Sequence, residues 1–279
     1  MNEQHYLGRC LGWRKDAERW GRVAKDVFGD LRLGDVSIDA LPDSLAVINW
    51  MQIEDQGQTS SCAGHAYSSC AELAYAHASG GQIVQLSRMF AYLCAQQEDG
   101  FSGDDGSSIS GNCTAGRDLG TCREDVYPFT GHYPRGGYRD IPPAAFADAK
   151  SYRIQSFTDL PDYTAVLAWL AKGVGGVDIG IGWNGTCEEY DDRIERYHGG
   201  GGGHSLALLD WDKKLKDGQG RPYIRLFNSW SKQWGDRGTK LIAPAVIDFW
   251  CRNETVVGLS DMRDVMPRSI DWTQVRLFA

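Results

Sequence analysis

The chain has 279 residues, 42% hydrophobic and 24% charged, which suits a globular protein with one large domain or two lobes sharing a cleft. A formal net charge of −8 argues against a nucleic-acid or anionic-membrane partner, and no apolar run approaches the roughly 20 residues that span a bilayer. The start Met1-Asn2-Glu3-Gln4-His5 lacks the basic residues and apolar core of a secretory signal, so a cytoplasmic or otherwise reducing compartment is expected.

Residues 1–37 read as a separate N-terminal extension. Trp13, Ala17, Trp20, Ala24, Val27 and Leu31 recur at alternating steps of four and three, which draws one apolar stripe along a helix, with Gly29 as its stop. Such a helix could be a removable or autoinhibitory leader. A permanently docked helix is the simpler expectation, because most amphipathic helices pack. Leu41-Pro42-Asp43-Ser44 is a turn, and Leu45–Trp50 reads as a short strand or extended arm.

The Gly/Ser/Thr loop from Asp55 to Ser61 then leads into an Ala-rich helix running from Cys62 to about Ala78. Ser87 caps a second helix over Arg88–Gln97. Asp99–Gly111 is loop-like, a short helix is expected from about Thr114 to Leu119, and 127–143 is irregular. Pro161 opens a helix over Asp162–Lys172. Beyond Gly173 the period shortens, giving strands at Gly176–Trp183, Ser205–Trp211, Tyr223–Phe227 and Thr239–Ile242. Helices followed by an antiparallel set of strands make an α+β chain.

Eight cysteines lie at 10, 62, 70, 94, 113, 122, 187 and 251. A chain of this length does not need a disulfide framework, and no pair has the close spacing of a zinc site, so free thiols and no metal or other cofactor are expected. Cys113 and Cys122 could still close a loop. Cys62 stands apart, because a thiol at a helix N-terminus feels the positive end of the dipole, which favours thiolate. Gln56, six positions upstream, offers a side-chain amide for the negative charge that builds on an attacked carbonyl oxygen. Taken alone, this stretch is equally compatible with a small buried thiol.

A nucleophilic cysteine needs a base and a group to orient it. Among six histidines, His204 opens the strand Ser205–Trp211 beside a glycine run, whereas His198 lies on the far side of that run. His65 would project away from the thiol. The next strand ends in Asn228-Ser229-Trp230; pairing the two strands as a hairpin would set His204 beside Asn228, whose carbonyl could fix the imidazole tautomer under a Trp230 roof.

Gln56-Gly57, Ser61-Cys62, Gly203-His204-Ser205-Leu206 and Asn228-Ser229-Trp230 with Trp234-Gly235 together resemble papain-like cysteine peptidases, in order and in separation. The resemblance runs from about residue 38 to 262, within a domain taken as 38–279. It implies a two-lobed fold, with a helical lobe at about 55–150, a β-barrel-like lobe at about 151–262 and the active site in the cleft between them. Carried over, Cys62 is the nucleophile, His204 the acid/base, Asn228 its orienting group, Gln56 an oxyanion-hole donor and Trp230 a shield. Gly106-Ser107 would bind substrate backbone, and Ile179-Gly180 would line a specificity pocket. A polypeptide substrate is implied; the oligomeric state is not. The sequence departs from the family at Thr59 (usually cysteine), Ala63 (tryptophan), His65 (an aromatic) and Ser231 (glycine). Two rival readings are a catalytically silent papain-fold binding module and a thiol acyl transferase or deamidase.

Overall fold

The computed structural model describes residues 5–6, 9–15, 36–183, 187–190 and 192–263. Strands β1 (His5–Tyr6) and β2 (Arg9–Cys10) pair antiparallel, with His5 opposite Cys10. Trp13 and its neighbours follow in extended form, with Trp13 in an isolated bridge to Ser107. The helical reading of Trp13 is therefore corrected, and the rest of that stripe, over 16–35, lies outside the described residues.

Helix α1 (Cys62–Ser79) is buried over most of its length. Its Ala, Ser, Gly and Cys residues let neighbours approach closely. A Cβ at Gly64 would lie 2.8 Å from the Arg88 carbonyl oxygen, so helix α2 (Arg88–Asp99) packs almost backbone to backbone there. The Ser87 hydroxyl accepts the Phe90 N–H at 3.0 Å and starts α2, and Gly100 ends it at φ 71°. Helix α3 (Ile109–Asp118) begins five residues ahead of its expected start. Ser108, itself held by Asp99, accepts the Gly111 N–H at 2.8 Å and caps what read as loop. Helix α4 (Pro143–Ala149) and strand β3 (Ile154–Asp159) had no counterpart in the sequence reading.

Helix α5 (Tyr163–Ala171), capped by Asp162, leads to the other strands. These are β4 (Val177–Trp183), β5 (Cys187–Glu189), β6 (Arg193–Tyr197), β7 (Gly202–Lys216), β8 (Pro222–Phe227), β9 (Thr239–Ile242) and, after helix α6 (Pro244–Asn253), β10 (Thr255–Met262). They join β3 in one sheet of order β3-β10-β4-β7-β8-β9-β6-β5, antiparallel except for β6 against β9. Helix α1 lies against β7 and β10, so its N-terminal Cys62 meets the start of β7.

Leu45–Trp50 is not a strand. The backbone N–H groups of Leu45 and Val47 donate to the Asp210 carboxylate at 2.7 and 3.1 Å, and Val47–Asn49 winds into a 3-10 turn around it. Burial pushes the Asp210 carboxyl up to about 6, against the pull of those amides. A second buried charge ties the helices together. Fully buried Arg88 pairs with Glu72 of α1 at 2.7 Å and with Glu54 at 3.2 Å. Removing one partner of a buried pair strands the other, so Arg88→Leu is expected to cost about 3–5 kcal/mol, read from the denaturant midpoint. Cys10, Cys62, Cys70, Cys94, Cys113, Cys122 and Cys251 form no disulfide with one another, so Cys113 and Cys122 are not joined. Among the described residues no helix is long and apolar enough to cross a membrane.

Candidate active site

Gln56 is held from every side. Its backbone N–H donates to the Ser229 carbonyl at 2.9 Å, and its Oε1 accepts the Ser229 hydroxyl at 2.6 Å. Its Nε2 donates to the Thr59 carbonyl at 2.8 Å and to the Cys10 carbonyl at 3.1 Å. The end of β8 and Cys10 of β2 thus both connect to the loop that precedes Cys62. The Cys62 thiol is buried and meets the backbone N–H groups of Ser205, Gly12 and Ala63.

His204 sits near the start of β7, and Asn228 just beyond the end of β8. Their contact is Nε2 to Oδ1 at 2.9 Å. Asn228 Oδ1 can only accept, so it places the ring proton on Nε2 and leaves Nδ1 as the basic nitrogen, which has no partner among the described residues. Trp230 stacks on the imidazole with centroids 4.7 Å apart and planes 21° apart, while Trp183 meets it edge-on at 5.8 Å. These rings keep water from the His204–Asn228 bond, which strengthens it. The next residue is fixed too, because the Ser205 hydroxyl donates to Asp178 at 2.7 Å.

The helix dipole alone would lower the thiol pKa. Here burial dominates instead: it pushes the Cys62 thiol up to about 11 and the His204 imidazole down to about 4. Both groups are neutral at physiological pH in this arrangement. Residues 10–14 lie over them. Trp13 N–H donates to the Gly203 carbonyl at 2.9 Å, while Ser107 N–H donates to Gly12 and Arg14 N–H to Ser107, each at 3.0 Å. Gly12 passes so close to the nucleophile loop that a Cβ there would lie 1.9 Å from the Ser60 carbonyl oxygen.

Gly106 and Ser107 thus flank this segment, as a backbone-binding edge would. Gly180 also borders it, since a Cβ at Gly180 would fall 2.2 Å from the Trp13 indole. Ile179 does not. Side chains alternate along β4, and Ile179 is buried on the opposite face from Gly180, which corrects its place in the pocket. Sequence reasoning also missed residues 10–14 as occupants of the cleft. The only local hint was a glycine between two apolar residues, Leu11-Gly12-Trp13, which suits close backbone approach.

A family model described as papain family cysteine protease matches residues 41–256. The chain belongs to the papain family of cysteine proteases. Solved papain-family structures share its fold. Xylellain, a cysteine protease from Xylella fastidiosa, is 19% identical with a TM-score of 0.67 over 91% of this chain and 96% of that one. The bromelain protease from Ananas comosus, in complex with the E64 inhibitor, is 16% identical with a TM-score of 0.60 over 79% and 100%. Digestive procathepsin L 3 of Tenebrio molitor larval midgut is 17% identical with a TM-score of 0.60 over 90% and 83%. Comparison with curated protein sequences returned no match. One departure from the papain-family pattern has a measurable cost. Ser231, where glycine is usual, is left-handed at φ 66°. Ser231→Gly is expected to raise stability by about 1 kcal/mol, seen as a higher denaturant midpoint with unchanged slope.

Proposed function

We propose that this papain-family protein hydrolyses peptide bonds through a thioacyl-enzyme on Cys62. His204 Nδ1 takes the thiol proton and the thiolate attacks the carbonyl carbon of the substrate. The oxyanion accepts from Gln56 Nε2 and the Cys62 backbone N–H, and the imidazolium then protonates the leaving amine. Water, deprotonated by the same nitrogen, releases the acid product. The observation that carries this reading is the His204–Asn228 bond at 2.9 Å under Trp230, which leaves one basic nitrogen open at the strand start that also touches the Cys62 thiol. A binding module has no use for that one-sided imidazole.

The same geometry supports latency. With Cys10 O on the Gln56 amide and Gly12 N–H on the sulfur, residues 10–14 fill the place a substrate backbone would take. The test is a peptide library incubated with a primary amine and read by mass spectrometry. Cleavage without amine incorporation, abolished in Cys62→Ala with an unchanged unfolding midpoint, is the expected result. Amine incorporation would favour acyl transfer, and cleavage undiminished in Cys62→Ala would remove the thiol from the chemistry.

A further inference from the structure

We infer that His65, through the hydroxyls of Ser61 and Thr59, is a positioning residue for Gln56 and so for the oxyanion hole, an inference that rests on the peptidase reading above. His65 lies on α1 one turn after Cys62, borders the same small cavity as Asn228 and Ser229, and has no part in the proposed reaction. Its Nδ1 is 3.0 Å from the Ser61 carbonyl oxygen and 3.2 Å from the Ser61 hydroxyl. That hydroxyl is 2.6 Å from the Thr59 hydroxyl, which in turn is 2.8 Å from the Gln56 carbonyl oxygen. His65, Ser61, Thr59 and Gln56 are all buried.

The two carbonyls at the ends of this chain fix the direction of every hydrogen in it. Carbonyl oxygens only accept, so the Thr59 hydroxyl gives its proton to Gln56. The short Thr59–Ser61 contact then needs the Ser61 proton, which leaves Ser61 Oγ an acceptor. His65 Nδ1 faces that acceptor and the Ser61 carbonyl, so it carries the ring hydrogen. The opposite direction would set oxygen lone pairs against each other between Thr59 and Gln56, and nitrogen against oxygen between His65 and Ser61. It therefore has two repulsive contacts where the first has none.

His65 Nε2 is left unprotonated and has no partner among the described residues, a cheaper thing to bury than a stranded N–H. Burial also holds the ring neutral, with its pKa lowered to about 3, so the donor pattern persists through the working pH range. Phe129 closes the outer side edge-on, with centroids 4.7 Å apart. The relay ends on the carbonyl of the residue whose side-chain amide also donates to Thr59 at 2.8 Å. Thr59 therefore grips Gln56 at both ends, and Ser61 and His65 grip Thr59.

Two measurements test this on the full chain. The first is the His65 tautomer by long-range proton–nitrogen NMR between pH 5 and 8. The Nδ1–H form throughout is expected, and the Nε2–H form overturns the relay whether or not the protein is a peptidase. The second uses the full chain carrying Trp13→Ala, which loosens the occupant of the cleft, with Thr59 varied. Thr59→Val, equal in shape but without the hydroxyl, is expected to lower kcat roughly tenfold with KM unchanged, and Thr59→Ser to restore it. Alkylation of Cys62 by iodoacetamide should not change in either, because thiolate attack on an alkyl iodide builds no oxyanion. Unchanged kcat in Thr59→Val, or a parallel loss in Thr59→Ser, overturns the inference. An inactive Trp13→Ala chain with Thr59 intact counts instead against the peptidase reading, and the tautomer still decides the relay.

Discussion

Trp13→Ala in the full chain is expected to raise the rate at which iodoacetamide modifies Cys62 at pH 6 by roughly 10² to 10³, measured by mass spectrometry. The indole is buried over Gly180, and its N–H finds no acceptor among the described residues, so the side chain's hold is apolar and adds to the segment's backbone hydrogen bonds with Gly203 and Ser107. Truncating a buried tryptophan costs about 3–5 kcal/mol, and each 1.4 kcal/mol shifts an equilibrium tenfold. Once the segment lifts, water returns to the thiol and the imidazole. The burial that holds Cys62 near 11 and His204 near 4 is relieved, so the thiol pKa falls, the imidazole pKa rises, and the ion pair becomes accessible at mildly acidic pH. An unchanged alkylation rate would mean that the thiol is reached without displacing residues 10–14.

In that same loosened chain, Gln56→Ala is expected to lower kcat by about 10² to 10³ with little change in KM, the loss typical of one oxyanion donor. The effect should exceed that of any relay variant, because it removes the donor rather than its support. A second consequence marks the same residue. Gln56 Oε1 accepts the Ser229 hydroxyl and Nε2 accounts for one hydrogen bond to Cys10, so its loss weakens the hold on the occupant as well. Alkylation of Cys62 should rise in Gln56→Ala while hydrolysis falls. If the two move together, Gln56 is acting through the fold and not on the reacting carbonyl.

Much of the site could be read from the sequence because its parts sit at ends of regular elements. Cys62 follows a turn-rich loop and opens a helix, and His204 and Asn228 flank a hairpin. Periodicity and punctuation mark such ends. Hidden features were those that depend on distant partners. Nothing near Leu45 announces that the Asp210 carboxylate will gather its amides. Trp13 fits a helical stripe as well as it fits a cleft, and its actual neighbours, Ser107 and Gly203, lie far along the chain. Strands β3 and β10 escaped because Gly258 and four serine or threonine positions interrupt the apolar alternation; a Cβ at Gly258 would strike Trp169 at 2.6 Å, so the gap in the pattern is a packing requirement. The thiol pKa went the other way because the helix dipole is a local property, whereas burial by residues 10–14 is not.

Under the latency proposed above, the polarity of the occupant sets how activation would run in time. Gly12 offers an N–H to the sulfur, so the lone pair that would attack an acyl carbon is already engaged by a donor. A molecule in this state is not poised to cut itself at the contact, and departure of the segment comes first. Onset of activity should therefore follow first-order kinetics with a half-time independent of dilution, until freed molecules become numerous enough to clip their neighbours and the time course turns sigmoidal.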